Sequence, residues 1–172
     1  MKAQLWLTII AVTALAVFVI VPLAHAGWKH CKGTGKFIES GPEMAFDCDD
    51  WPKHRVSIEK SVTEQTCDCP ELDGSRQTSY EYHDRKGTGG TSFAYYTLET
   101  RGGDKIFGKY SGRGRREIKK DGSWEGHFIG EWEEYDGTGK LQGVKGKGAY
   151  WGKITPAGVS IEWEGDYFFP DK

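Results

Sequence analysis

The residues of this sequence with chemistry to offer are four cysteines, four scattered histidines beyond residue 26 and two runs of charge. Cys31, Cys48, Cys67 and Cys69 sit in one early stretch, and no cysteine follows Cys69. In an exported chain an even cysteine count reads first as disulfides, and the N-terminus here reads as an export signal. Cys67 and Cys69 flank only Asp68, and a ring that small strains disulfide geometry. Each is therefore expected to reach back to Cys31 or Cys48, in either order, in two bridges worth roughly 2–4 kcal/mol each. The rival is a metal site. His30-Cys31, Cys48-Asp49-Asp50 and Cys67-Asp68-Cys69 offer imidazole, thiolate and carboxylate. Their spacing is neither the paired C-x₂-C of structural zinc nor the C-x-x-C-H of haem attachment. The expectation is disulfides, with no metal and no cofactor.

His30, His54, His83 and His127 show no H-x-H or H-E-x-x-H spacing and read as surface or packed side chains. There is no G-x-S-x-G elbow. "GTGG", "GRG" and "GTGK" are not followed by a helical pattern, so they read as hairpin turns rather than phosphate loops. The basic run "RGRREIKK" at 113–120 and the acidic run "EWEEYD" at 131–136 suggest charge pairing between neighbouring strands. A sharper possibility follows from the turn between them. If Asp121-Gly122 is a two-residue hairpin loop, Arg115 stands opposite Phe128 and Glu117 opposite Gly126. Directly opposed residues share a face, so Arg115 and Glu117 would enter the interior and mark a polar ligand site. A loop one residue longer reverses this.

The elements that would hold these groups begin after residue 26. Lys2, an apolar run from Leu5 to Leu23 and Ala24-His25-Ala26 have the order of a secretory signal cut before Gly27. The expected localisation is periplasmic or extracellular, without a membrane partner once the signal is removed. The remainder suits one domain, divided into an irregular cysteine-bearing segment, 27–53, and a barrel, 54–172. All 24 glycines fall within it. The formal net charge is −2, one unit more negative without Lys2, which argues against nucleic acid as a partner.

Alternation of apolar and polar residues runs through the rest. In "VSIEWEGDYFF", Val159, Ile161, Trp163, Gly165, Tyr167 and Phe169 share one face. "SWEGHFIGEW" sets Trp124, Gly126, Phe128, Gly130 and Trp132 against Glu125, His127, Ile129 and Glu131. Further strands are expected at 54–63, 76–85, 91–100, 105–110, 112–120, 140–144 and 146–154, separated by glycine turns such as Asp73-Gly74 and Gly102-Gly103. Eight or nine short strands with no long helix predict an all-β barrel or sandwich. Glycine alternating with Trp or Tyr on one face favours a single antiparallel barrel of about eight strands, whose small and large residues fill a taper.

The stretch "SWEGHFIGEWEEYDGTGKLQGVKGKGAYWGK", followed by "GVSIEWEGDYFF", resembles the C-terminal half of the allene-oxide-cyclase-like barrels, a group of lipocalin-like (calycin) folds. The match is carried mainly by Gly137 to Gly148 and the last strand. The resemblance implies an eight-stranded barrel with a central cavity. No catalytic residue of the plant cyclases has a counterpart among these positions, so the cyclase activity does not carry over. An eight-stranded barrel holds a packed interior or one small ligand. The candidate lining is Trp124, Phe128, Trp132, Trp163 and Tyr167, with Arg115 and Glu117. The expected function is binding of a small apolar or aromatic molecule without catalysis. A cavity-shaped isomerase or cyclase and a structural barrel with a packed core are the alternatives.

Overall fold

A computed structural model describes residues 27–170; the expected signal segment, 1–26, lies outside them. Among the described residues the strands are β1 (Trp28–Ser40), β2 (Met44–Cys48), β3 (His54–Cys67), β4 (Arg76–Lys86), β5 (Gly89–Glu99), β6 (Lys105–Ile118), β7 (Trp124–Gly137), β8 (Lys145–Thr155) and β9 (Gly158–Phe168). β3 to β9 follow one another in space as in sequence, and β1 lies between β9 and β3 and closes the ring. The result is a closed antiparallel barrel of eight strands, with β2 as a ninth strand laid along the His54–Ile58 part of β3.

The interior is organised by one repeated contact. Tyr96 stands directly opposite Gly108, Trp132 opposite Gly148, Tyr150 opposite Gly130, Phe128 opposite Gly152, and Trp163 opposite Gly33. In each pair a Cβ on the glycine would collide with the ring across from it. The ring covers the gap in the neighbouring strand, and the missing side chain gives the ring its place. Trp132 lies across Gly165 as well as Gly148, and its Nε1 donates to the Ala149 carbonyl at 3.2 Å.

The two ends differ. The connections 68–75, 100–104 and 138–144 close one end over buried Leu72, Leu98, Ile106, Leu141 and Val144. There the Cys31–Cys69 disulfide, with Cα atoms 5.7 Å apart, ties the β3–β4 loop to β1. Its 38-residue separation corresponds to a stabilisation of about 3–4 kcal/mol. The opposite end, ringed by the β4–β5, β6–β7 and β8–β9 hairpins, forms an open mouth.

Four expectations are corrected by this architecture. The segment 27–53 is not irregular, because it supplies β1 and β2. The inward positions of β1 are Cys31, Gly33 and Gly35, paired with Gly165, Trp163 and Ile161, and Phe37 at the mouth, so this barrel strand carries little apolar alternation. The stretch 140–144 is not a strand. Gly139–Leu141 forms a 3-10 turn that buries Leu141, and Asp136 Oδ1 accepts from the Gly143 amide at 3.2 Å. The expected strands 105–110 and 112–120 are one strand, β6. The second disulfide does not form: Cys48 and Cys67 are free. Cys48 pairs with His54 at the mouth end of β3 and Cys67 ends the same strand. At about 3.3 Å per residue those ends lie roughly 40 Å apart, far beyond bridging distance.

A methyl group added at Gly148 meets both the Trp132 ring and the Glu164 carbonyl, whereas one at Gly89 meets only an ordinary 3.7 Å contact. Gly148→Ala is therefore expected to lower unfolding stability by about 1–3 kcal/mol. Gly89→Ala should leave it within about 0.5 kcal/mol. Chemical denaturation of the two variants checks this; equal losses would remove the aromatic–glycine contact as the organising feature.

Candidate functional site

The barrel encloses a cavity of about 500 Å³ that opens at the mouth. Two unlike walls face each other across it. The rings of Tyr96, Tyr110, Phe128, Trp132, Tyr150 and Trp163 line one. They run on from one another with ring centroids 6.0 Å apart for Tyr96–Tyr110, 5.3 Å for Tyr110–Tyr150 and 6.2 Å for Trp132–Trp163. The other wall is polar and comes from β3 and β4, whose inward residues are Glu59, Ser61, Thr63 and Gln65, and Gln77, Ser79, Glu81, His83 and Arg85.

The polar wall is bonded along its length. Near the closed end, Trp163 Nε1 donates to Gln65 Oε1 at 2.9 Å, and Gln65 Nε2 donates to Thr63 Oγ1 and Gln77 Oε1 at 3.1 and 3.2 Å. Gln77 Nε2 donates to Ser79 Oγ at 3.0 Å. Higher up, His83 Nε2 lies 2.9 Å from Glu59 Oε1 and 3.4 Å from Glu81 Oε2, and the Ser61 hydroxyl donates to Glu81. Burial works against a charged His83, but its bonds to Glu59 and Glu81 prevail and push it up to about 9. Burial likewise opposes the Glu81 charge, and the bonds from His83 and Ser61 overcome it and hold its carboxyl below the usual range. Arg85 follows towards the mouth, 3.9 Å from Glu59. The two carboxylates thus face an imidazolium and a guanidinium, the latter shared with Glu43 at 3.1 Å.

At the closed end sits a carboxyl without such balance. Glu134, 3% exposed, accepts from Tyr96 Oη at 3.1 Å and Tyr167 Oη at 3.2 Å, both on Oε1. Its Oε2 has no hydrogen-bond partner. Burial pushes the acid up to about 7 against the pull of the two phenols. Alternation places it there: Glu134 follows Trp132 on the inner face of β7 and stands opposite Gly108, just before the register slip between Phe107 and Gly108.

Trp124, Phe128, Trp132, Trp163 and Tyr167 all line the cavity, Trp124 at the mouth and Tyr167 beside Glu134. Arg115 borders the cavity only at its mouth, from the outer face of β6, and Glu117 does not line it. The β6–β7 loop is three residues long, Lys120-Asp121-Gly122, closed by Lys119 N to Ser123 O at 2.8 Å, with Gly122 at φ +83. That is the turn-plus-bulge hairpin that needs a left-handed glycine at its third position. The register moves by one, so Arg115 faces His127 and Glu117 faces Glu125, both outside. Arg116 takes the inward place opposite Gly126 and stacks over the Trp124 ring at 4.2 Å. The same register separates the two charge runs. Lys109 pairs with Glu133 at 3.1 Å, and Lys119 and Lys153 hold Glu125 at 3.3 and 2.6 Å.

Glu59, Glu81, His83, Arg116 and Glu134 escaped the sequence reading. In "RQTSYEYHDRK" Gln77, Ser79, Glu81, His83 and Arg85 do alternate, but Tyr80 and Tyr82 between them suggest the opposite face is the dry one. Those tyrosines are exposed on the outside, beside Phe93 and Tyr95 of β5.

Comparison with family models, curated proteins and solved structures finds no match. The geometry itself defines the class: a closed eight-stranded antiparallel barrel with a two-walled interior cavity.

The charge on Glu134 sets a pH dependence. An acid held near 7 when folded, against 4.5 when free, takes up a proton on folding between those values. The stability it contributes is full below about pH 4.5 and is lost as the pH rises through 7, by on the order of 3 kcal/mol. Glu134→Gln cannot ionise and keeps an acceptor for the two tyrosines. It is expected to match the wild type at pH 4.5 and to exceed it increasingly up to pH 8. His83 titrates near 9 in both proteins, so the difference isolates Glu134. Denaturation midpoints across this range check it, and a difference that does not change with pH would refute it.

Proposed function

We propose that this chain is an exported binding protein that holds one small, mostly apolar or aromatic molecule in its barrel. The supporting observation is the cavity of about 500 Å³, within the range of small-molecule sites, with a ring-lined wall facing a polar one. Such a space receives an apolar body against Tyr110, Phe128, Tyr150 and Trp163 and orients it through the opposite wall. The empty volume weighs against the alternative of a packed structural core. At the mouth, Arg116 over Trp124 favours a ligand whose outer end is anionic.

A second reading, an isomerase- or cyclase-like enzyme, rests on Glu134. A carboxyl near 7 with one unpaired oxygen, at the ring-lined end of a cavity, has the protonation behaviour of a general acid or base.

The probe for the first reading is 8-anilinonaphthalene-1-sulfonate, an aromatic body with an anionic end. One saturable site per chain is expected, with energy transfer from the cavity tryptophans. Arg116→Glu and Trp124→Ala, both at the mouth, should each weaken it about tenfold, the equivalent of roughly 1.4 kcal/mol. Absence of saturable binding to the folded protein, or binding indifferent to both substitutions, would overturn the proposal.

A further inference from the structure

Outside the cavity, where β2 meets β3, three side chains of different chemistry converge. Cys48 ends β2 and His54 begins β3, and the two are directly opposed in the ladder. Asp50 lies in the five-residue connection between them. The Cys48 Sγ, an Asp50 carboxylate oxygen and a His54 ring nitrogen all lie within 4.8 Å of one another. Thiolate, carboxylate and imidazole are donors of zinc sites, and three such groups leave a fourth position for water.

A fourth residue arranges the imidazole. Asp84 Oδ1, on β4, is 3.0 Å from His54 Nε2. With Nε2–H donating to Asp84, Nδ1 turns its lone pair towards Asp50, with which it is in direct contact. A second carboxylate behind a histidine in this way fixes the tautomer of a metal ligand. Two carboxylates thus flank the ring, Asp84 at Nε2 and Asp50 at Nδ1, with the Cys48 thiol at the third corner, a mixed nitrogen, oxygen and sulfur donor set for one cation. The site is held firmly. His54 is 8% exposed, its amide donates to the Trp51 carbonyl at 3.1 Å, and Gly87 N donates to the Lys53 carbonyl at 3.2 Å. Pro52 and Lys53, the latter at φ 59, set the bend.

The other mixed clusters are already committed. Glu59, Glu81 and His83 are balanced among themselves and Arg85, and the thiols beside Asp68 are joined in the Cys31–Cys69 bond. Cys48 is in no disulfide.

We propose that Cys48, Asp50 and His54 bind one divalent ion of the zinc type, with Asp84 as the positioning residue. Binding replaces the thiol proton of Cys48, which is released to solvent, by the metal. The ion joins the end of β2 to β3 beside the cavity mouth, independently of any ligand in the barrel.

The test is titration of the purified protein, its Cys31–Cys69 bond intact and metals stripped by chelation, with Co²⁺ alone. The expected result is one equivalent bound with a thiolate-to-cobalt charge-transfer band in the near ultraviolet, abolished by an equivalent of Zn²⁺. Cys48→Ser should lose the band and bind Zn²⁺ at least tenfold more weakly. Asp84→Asn should keep the band and weaken the affinity by about 10–100-fold. On the unmutated chain, Zn²⁺ should slow alkylation of Cys48 by iodoacetamide while leaving Cys67 unaffected, a measurement that does not depend on any variant folding. No band with the fold intact, a band that survives Cys48→Ser, or alkylation indifferent to Zn²⁺ would each overturn the site.

Discussion

The contact between Trp132 and the glycines opposite it illustrates the constraint on which this barrel depends. Eight strands enclose a bore that two facing layers of large side chains would overfill. Where Gly148 and Gly165 face each other on β8 and β9, the indole lies over both backbones and occupies the space their side chains would have taken. Tyr96 with Gly108, Tyr150 with Gly130, Phe128 with Gly152 and Trp163 with Gly33 repeat the arrangement around the ring. Glycine elsewhere weakens a strand. Here each one is covered by a ring from the next strand, so the weakness is local and the strand can curve.

That device is confined to one side of the barrel. β3 and β4 have no inward glycine facing a ring; they carry Ser61, Thr63 and Ser79 instead, with longer polar groups above and below. The hydroxyl side chains are too small to meet the rings across the bore, and the cavity is the space left between them. Their polarity has a further consequence. The apolar residues of these strands stand on the outside, where Ile58, Tyr80, Tyr82, Phe93 and Tyr95 form an exposed face continuous with Met44 and Phe46 of β2. This quarter of the barrel is turned inside out relative to β7, β8 and β9.

The inversion explains which parts of the molecule were legible. Trp124, Phe128, Trp132, Trp163 and Tyr167 were placed correctly because β7 and β9 follow the rule that the dry face is the inner one. β4 obeys the same alternation, yet the rule points outward there, and nothing local to Tyr80 or Tyr82 shows it. β1 was illegible for another reason: with Cys31, Gly33 and Gly35 inward, Phe37 is the one large apolar residue on its inner face, and only its partners on β3 and β9 reveal it as a strand. Arg115 and Glu117 were assigned to the wrong face by a single residue of turn, although Arg115 still borders the mouth. Gly122 in the left-handed region makes the loop three residues instead of two, and one step of register exchanges Arg115 for Arg116 at the mouth. Around Cys48 the thiol and carboxylate of Cys48-Asp49-Asp50 were legible as donors, but their company with His54 was not, because His54 and Asp84 meet through the pairing of β3 with β4, which no spacing along the chain displays.

The two carboxyl sites of the cavity put their charges to different uses. Glu59 and Glu81 sit where His83 and Arg85 can match them, so that wall is internally satisfied and offers a ligand orientation more than strong new hydrogen bonds. Glu134 has no cation near it and two phenols that donate to a single oxygen. Its unmatched hydrogen-bonding capacity therefore lies at the closed end, beneath the rings of Trp132 and Tyr167, while the free cationic capacity lies at the mouth on Arg116. A molecule complementary to both ends would span the bore with a neutral polar group inward and an acidic group outward, its apolar length resting on the ring-lined wall.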